Sequence, residues 1–304
     1  MLNEKTSVLY QTRYCAQEDF SIALRVSRNI KRLEFPFSLN SYEESKNIGV
    51  VTKRRYNSKT VSCSSSLFMI SENRSNNTFE KYSELSENKS ILPTFLDRRF
   101  NFCVCSFMQK IYVIGGCRKT KEKFGSAINS CMCYDIKSNK WTYIASMIEN
   151  RQNTSCAVFE GKIVVTGGFL EHDFFALNSS EAYCFHENKW KKFPSMLVKK
   201  AYHATVSMRN KLFVISRSFP NNCEVFDRIT NKFSFIENLQ RINCFVNAVS
   251  VGYKIYLFHV GGWKSEDKNE MLIFCYNDKQ NALIQKNKMQ FNCKVDSCAK
   301  MSKK

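Results

Sequence analysis

The chain has 304 residues, 43% of them apolar, enough to bury a sizeable core and too many for a disordered polypeptide. No window approaches the run of about eighteen apolar residues that crosses a bilayer as a helix, and the first residues lack the basic-then-apolar order of a secretory signal, so a cytoplasmic protein without membrane contact is expected. Lys and Arg number 46 against 27 Asp and Glu, a formal charge of +19; apart from "TKRRYNSK" (52–59) and "KMSKK" (300–304) the excess is scattered, which argues against a nucleic-acid surface.

Residues 1–54 read as a leader without a recognisable pattern, although Phe20, Ile22, Leu24 and Val26 alternate with polar residues. From residue 55 onward, short apolar runs recur at a regular interval. A segment such as "TSCAVF" (154–159) or "HATVSM" (203–208) is joined by "EGK" or "RNK" to "IVVT" or "LFVI", which is a hairpin signature. A variable polar stretch then leads to "MCYD" or "EAYCF", and a turn rich in Asn, Lys and Ser leads to a Trp or Phe. Glycine pairs close three of the apolar runs, at Gly115–Gly116, Gly167–Gly168 and Gly261–Gly262. None has the spacing of a phosphate-binding loop; glycine there accepts backbone angles and close approaches that a Cβ forbids.

A ruler of anchors runs through these units. From Tyr134 it is 7 residues to Trp141, 6 more to Met147, 4 more to Arg151 and 12 more to Ile163. The same steps from Tyr183 meet Trp190, Met196, Lys200 and Leu212, and those from Phe226 meet Phe233, Leu239, Asn243 and Ile255. Weaker copies start at Tyr82 and Tyr276. Arg99, Arg151, Lys200, Asn243 and Cys293 therefore fall 52, 49, 43 and 50 residues apart. Four short strands per unit at this period predict an all-β propeller with five visible four-stranded blades, over roughly 55–98, 99–150, 151–199, 200–242 and 243–292, with a final strand in 293–304. That strand either closes the first blade into a five-bladed ring or opens a sixth blade of an incomplete ring.

The 14 cysteines lack zinc-ribbon spacing; the C-x-C pairs Cys103/Cys105 and Cys131/Cys133 place both sulfurs on one strand face as buried free thiols. The histidines His172, His186, His203 and His259 fall at unrelated positions of the repeat, and no G-x-S-x-G elbow occurs. No metal, no cofactor and no catalytic residue is expected.

"IYVIGG…CYDIKSNKWTYIASMIENR" and "IVVTGG…AYCFHENKWKKFPSM" resemble the kelch repeat. The resemblance covers roughly residues 60–300 and weakens where "LFMISEN" and "LFVISRS" replace the glycines. It implies a protein-binding propeller, of the kind that selects substrates for cullin-RING ubiquitin ligases in kelch-like adaptors. The leader is too short for the BTB and BACK domains such adaptors carry, so a BTB-containing partner is expected to reach the cullin. Other kelch proteins bind actin, whose acidic surface suits this charge; an acidic segment of a partner protein suits it equally.

The resemblance also implies that the start of each innermost strand faces the central pocket. The positions are Arg99 and Asn101, Arg151 and Asn153, Lys200 and Tyr202, and Asn243 and Phe245. Arg suits carboxylates through its bidentate fork, and the alternative is that Arg99 and Arg151 only tie down turns. The loops after the glycines, 117–130 and 169–180, differ between units on a constant scaffold, as recognition loops do. Phe174 and Phe175 in the second loop are contact anchors in one reading and fold beneath their own loop in the other.

Overall fold

Strand after strand of β-branched and aromatic residues, punctuated by Asn- and Gly-containing turns, leaves β-strands as the only regular elements among the described residues, 26 in all. The computed structural model describes residues 6–13, 20–27, 47–52, 56–63, 66–72, 77–83, 89–119, 124–170, 175–216, 223–236, 245–251, 254–260, 269–277, 279–291 and 295–302.

Five antiparallel four-stranded blades follow in chain order, as the repeat requires. The first comprises Tyr56–Cys63, Ser66–Glu72, Thr78–Ser83 and Lys89–Leu92; the second Cys103–Phe107, Lys110–Ile114, Cys131–Asp135 and Lys140–Ile144. The third comprises Ser155–Phe159, Lys162–Thr166, Ser180–Cys184 and Lys189–Phe193, and the fourth Ala204–Met208, Lys211–Ile215, Glu224–Asp227 and Lys232–Phe235. Phe245–Val251, Lys254–Val260, Asn269–Asn277 and Ala282–Phe291 make the fifth. The first strand of each blade lies against the first strand of the next, so these strands surround the axis of a β-propeller.

The last strand, Val295–Ser302, does not complete the first blade. It pairs with Phe20–Ser27, which pairs in turn with Thr6–Arg13 and then Asn47–Thr52, giving a further four-stranded sheet drawn from both ends of the chain. Val295–Ser302 stands between the innermost strands of the fifth and first blades, so the ring of sheets is continuous. The alternation from Phe20 to Val26 was the strand signal within the leader.

The ruler has a structural meaning. Its 7-residue step is a cross-strand pair, Tyr134 opposite Trp141, Tyr183 opposite Trp190, Phe226 opposite Phe233. Each pair packs between neighbouring blades: Tyr134 and Trp141 join Phe68, Ile70 and Phe79 of the first blade in one apolar layer, and Tyr183 and Trp190 join Cys105, Tyr112 and Ile114 of the second. Trp141 Nε1 donates to Pro93 O at 2.8 Å and Trp190 Nε1 to Ala145 O at 2.9 Å, tying each indole to the strand exit of the preceding blade. In the fifth blade Phe274, not Tyr276, stands opposite Ile255. The core is thus a series of layers between sheets, because one twisted sheet cannot bury its own faces.

The glycine pairs sit where the second strand leaves its blade. Gly168 (φ 95°) donates to Lys200 O at 2.8 Å, and a Cβ there would stand 2.8 Å from Gln152 O and 2.9 Å from Thr154 Cβ. Gly116 takes the same place against Arg151 O. Gly261 and Gly262 lie outside the described residues. Among the described residues no helix is long and apolar enough to cross a membrane.

Candidate functional site

The face bearing the glycine pairs gathers two sets of segments: the turns that lead from the outer strand of one blade into the inner strand of the next, and the loops after the glycines. Asn101, Asn153 and Tyr202 stand two residues before three consecutive inner strands and have left-handed backbones, φ 55°, 52° and 52°. Asn153 N donates to Asn101 O at 2.9 Å and Tyr202 N to Asn153 O at 3.1 Å, so these three expected positions form a continuous rim around the axis. Asn101 Nδ2 reaches Gln152 Oε1 at 3.4 Å, and the Tyr202 ring, 42% exposed, meets Phe169 edge-on at 5.5 Å. Phe245 opens the inner strand of the fifth blade; Asn243 lies outside the described residues.

The cations two residues earlier, Arg99, Arg151 and Lys200, turn inward from this rim. All three are buried, and each is bonded to acceptors of its own turn and of the strands and loop of the blade that turn enters. Arg99 donates to Ser130 O (2.8 Å), Gly115 O (3.2 Å) and, through two nitrogens, to Asp97 (2.7 Å each). Arg151 donates to Gly167 O (2.8 Å), Ser179 O (3.0 Å), Glu149 (2.5 Å) and Glu181 (3.1 Å). Lys200 pairs with the buried Glu224. For the two arginines the reason is the cluster of carbonyl, hydroxyl and carboxylate oxygens brought inside around each one: a fork of five donors satisfies these as readily as a ligand carboxylate.

Glu181 and Glu224 were not singled out by sequence reasoning. Each accepts from two successive backbone amides of the turn, Glu181 from Ile148 (2.6 Å) and Glu149 (3.1 Å), Glu224 from Leu197 (2.7 Å) and Val198 (3.1 Å). Their signal was a Glu at the start of an otherwise mainly apolar run, in "SEAYC" and "CEVFD". Burial lowers the pKa of Lys200, against the opposing pull of Glu224. Burial alone would raise the Asp97 carboxyl, but its bonds to Arg99 and Arg118 outweigh that and hold it below the usual range.

The apolar residue that follows each ruler anchor faces outward: Leu96, Ile148 and Leu197 are 55%, 53% and 50% exposed. Phe175 is 70% exposed, on the loop after the glycines of the third blade; Phe174 lies outside the described residues. In the second blade the corresponding loop forms a small hairpin, Cys117–Lys119 with Phe124–Ala127. Cys103, Cys105, Cys131 and Cys133 are packed with Cys156 between the second and third blades, where burial pushes Cys131 up to about 12 and Cys133 to about 11.

The sequence matches the Kelch motif family over residues 98–148 and 150–197, the second and third blades with their entering turns. It is similar to Kelch-like protein 41a of Danio rerio, 34% identical over 106 residues that cover 35% of this chain and 17% of the relative. Kelch-like protein 41b of Danio rerio is 36% identical over 112 residues (37% and 18%), and Kelch-like protein 23 of Homo sapiens 30% identical over 111 (36% and 18%). The matched segment therefore spans less than a fifth of the length of these relatives.

Proposed function

We propose that this kelch-repeat propeller is a non-enzymatic protein-binding module of the cytoplasm that recognises substrates for a cullin-RING ubiquitin ligase, with the cullin reached through a BTB-containing partner. The observation that carries the binding reading is the contrast on one face: a rim of equivalent residues, Asn101, Asn153 and Tyr202, held by a repeated framework, beside post-glycine loops that differ between blades. Asn101, Asn153, Tyr202, Phe175 and the neighbouring Phe174 are the proposed contacts, with Phe245 and Asn243 extending the rim. The ligase role is supported by resemblance to kelch-like adaptors. Affinity purification of the tagged chain tests it: cullin subunits should co-purify with the native chain and with Phe175→Ser, while substrates are lost from the variant. Absence of cullin from both overturns the ligase role.

The charge of +19 favours a second reading, an actin-binding protein. Cosedimentation with filaments that weakens as salt rises would support it, and a chain left in the supernatant at low salt would remove it.

A further inference from the structure

Beyond that reading, we infer that the face opposite the loops docks on an anionic phospholipid surface. In each antiparallel blade the turns joining the first strand to the second and the third to the fourth lie at the end away from the glycine pairs. Lysine recurs there at fixed places of the repeat. Lys110, Lys162, Lys211 and Lys254 open the second strand of blades two to five, and Lys140, Lys189 and Lys232 open the fourth strand of blades two to four. Because the first strands surround the axis, these positions make an inner and an outer arc of cations on one face.

The turns between third and fourth strands are built alike, so equivalent tips project alike. Asp135 Oδ1 accepts from the amides of Lys137 (2.9 Å) and Ser138 (3.0 Å), and Asp227 Oδ1 from those of Ile229 (2.8 Å) and Thr230 (3.2 Å). The hydroxyls of Tyr134, Tyr183 and Tyr276 donate to Asn139, Asn188 and Asn281 at 2.5, 2.7 and 2.6 Å. The described acids of this face do not offset the arcs. Asp135 pairs with Lys110 (3.4 Å), Glu160 with Arg228 (2.8 Å), Glu187 with Lys191 (2.5 Å) and Asp227 with Lys211. The exposed Lys137, Lys140, Lys162, Lys189, Lys232 and Lys279 come in addition. Among them stand two apolar side chains at turn tips, Met108 at 72% and Ile229 at 93% exposure.

Spread cations with apolar tips suit a bilayer, where lysines meet lipid phosphates and the tips enter the boundary between headgroups and acyl chains. A nucleic-acid backbone calls for a stripe of charge and gives Met108 and Ile229 no apolar surroundings. Contact of this kind needs no spanning segment, so the hydropathy that argues against a membrane helix does not bear on it.

Flotation of the full chain with vesicles is the test. At low salt the chain should rise with phosphatidylcholine vesicles that contain about 30% phosphatidylserine and stay behind with phosphatidylcholine alone. Binding should weaken at least about tenfold as salt goes from about 0.05 M to about 0.5 M. Lys140→Glu with Lys232→Glu should weaken it at least about tenfold, and Met108→Ser with Ile229→Ser at least about threefold. Lys192→Glu with Lys199→Glu, the same charge change toward the loop-bearing end, should alter it less than about twofold. All six residues are exposed, and unchanged thermal melting confirms that each variant is folded. No flotation with phosphatidylserine, equal weakening by the two lysine pairs, full binding by the Met108 and Ile229 variant, or binding to duplex RNA without binding to vesicles overturns the inference. The cullin co-purification reads a different face and is decided separately.

Discussion

Three equivalent positions hold a buried cation, and the acid that balances it comes from a different place each time. Arg99 has Asp97 within its own turn, because the strand position that carries Glu181 and Glu224 elsewhere is Met132 in its blade. Among the described residues the acid paired with Lys200 is Glu224, and Val198 stands where the other two turns carry an acid. Glu224→Gln therefore leaves a buried ammonium without a counter-charge and should cost about 3–5 kcal/mol in urea unfolding. Glu181→Gln leaves Arg151 with Glu149 and should cost about 1–2 kcal/mol. His203 supplies a pH dependence. Burial, with the charges of Lys200 and Arg151, lowers its pKa from 6.5 to about 3, while its Nε2 is bonded to Thr166 Oγ1 at 2.8 Å. The unfolded chain binds a proton below 6.5 that the fold refuses, so this contribution is complete above 6.5 and falls as pH drops toward 3. The slope is about 1.4 kcal/mol per pH unit, and His203→Gln should remove it from stability measured between about pH 6 and 5.

At the scale of strands and turns, the glycines separate two kinds of constraint. Gly161 also has a positive φ, 68°, but nothing lies within 4 Å of a Cβ there, whereas Gly168 is closed in by Gln152 O and Thr154. Gly161→Ala should cost about 1 kcal/mol and Gly168→Ala at least about 2, read as shifts in the denaturant midpoint. Trp141→Ala should cost about 3–5 kcal/mol, since the indole packs on Phe79 and Phe95 and holds Pro93 O. Blades and their pairing were legible because Tyr134–Trp141 and its copies repeat one cross-strand contact at one spacing. The rim was legible because the ruler fixed where each inner strand begins. Which way Arg99, Arg151 and Lys200 point was not, for a cation's direction depends on carbonyls and acids contributed by other strands, such as Ser130 and Glu181. The leader's strands escaped because their partner, Val295–Ser302, lies at the opposite end of the sequence.

For the molecule as a whole, closure rests on that pairing. Deleting 295–302 removes the inner strand of one sheet and bares Phe20–Ser27 as an open edge beside the inner strands of the first and fifth blades. The truncated chain should lose its single cooperative melting transition and elute as aggregates in size-exclusion chromatography; a sharp transition and monomeric elution would show that the ring stands without the strand.

The same sheet bears on how the protein is made. Blades two to four can stack in order as they emerge from the ribosome, each on the one before, but Phe20–Ser27 must wait through synthesis of nearly the whole chain for its partner. During that interval the nascent polypeptide carries an unfilled slot that matches a strand of its own kind, including one from a neighbouring nascent copy. Slow translation or crowded polysomes thus become conditions under which strand exchange between copies competes with self-closure.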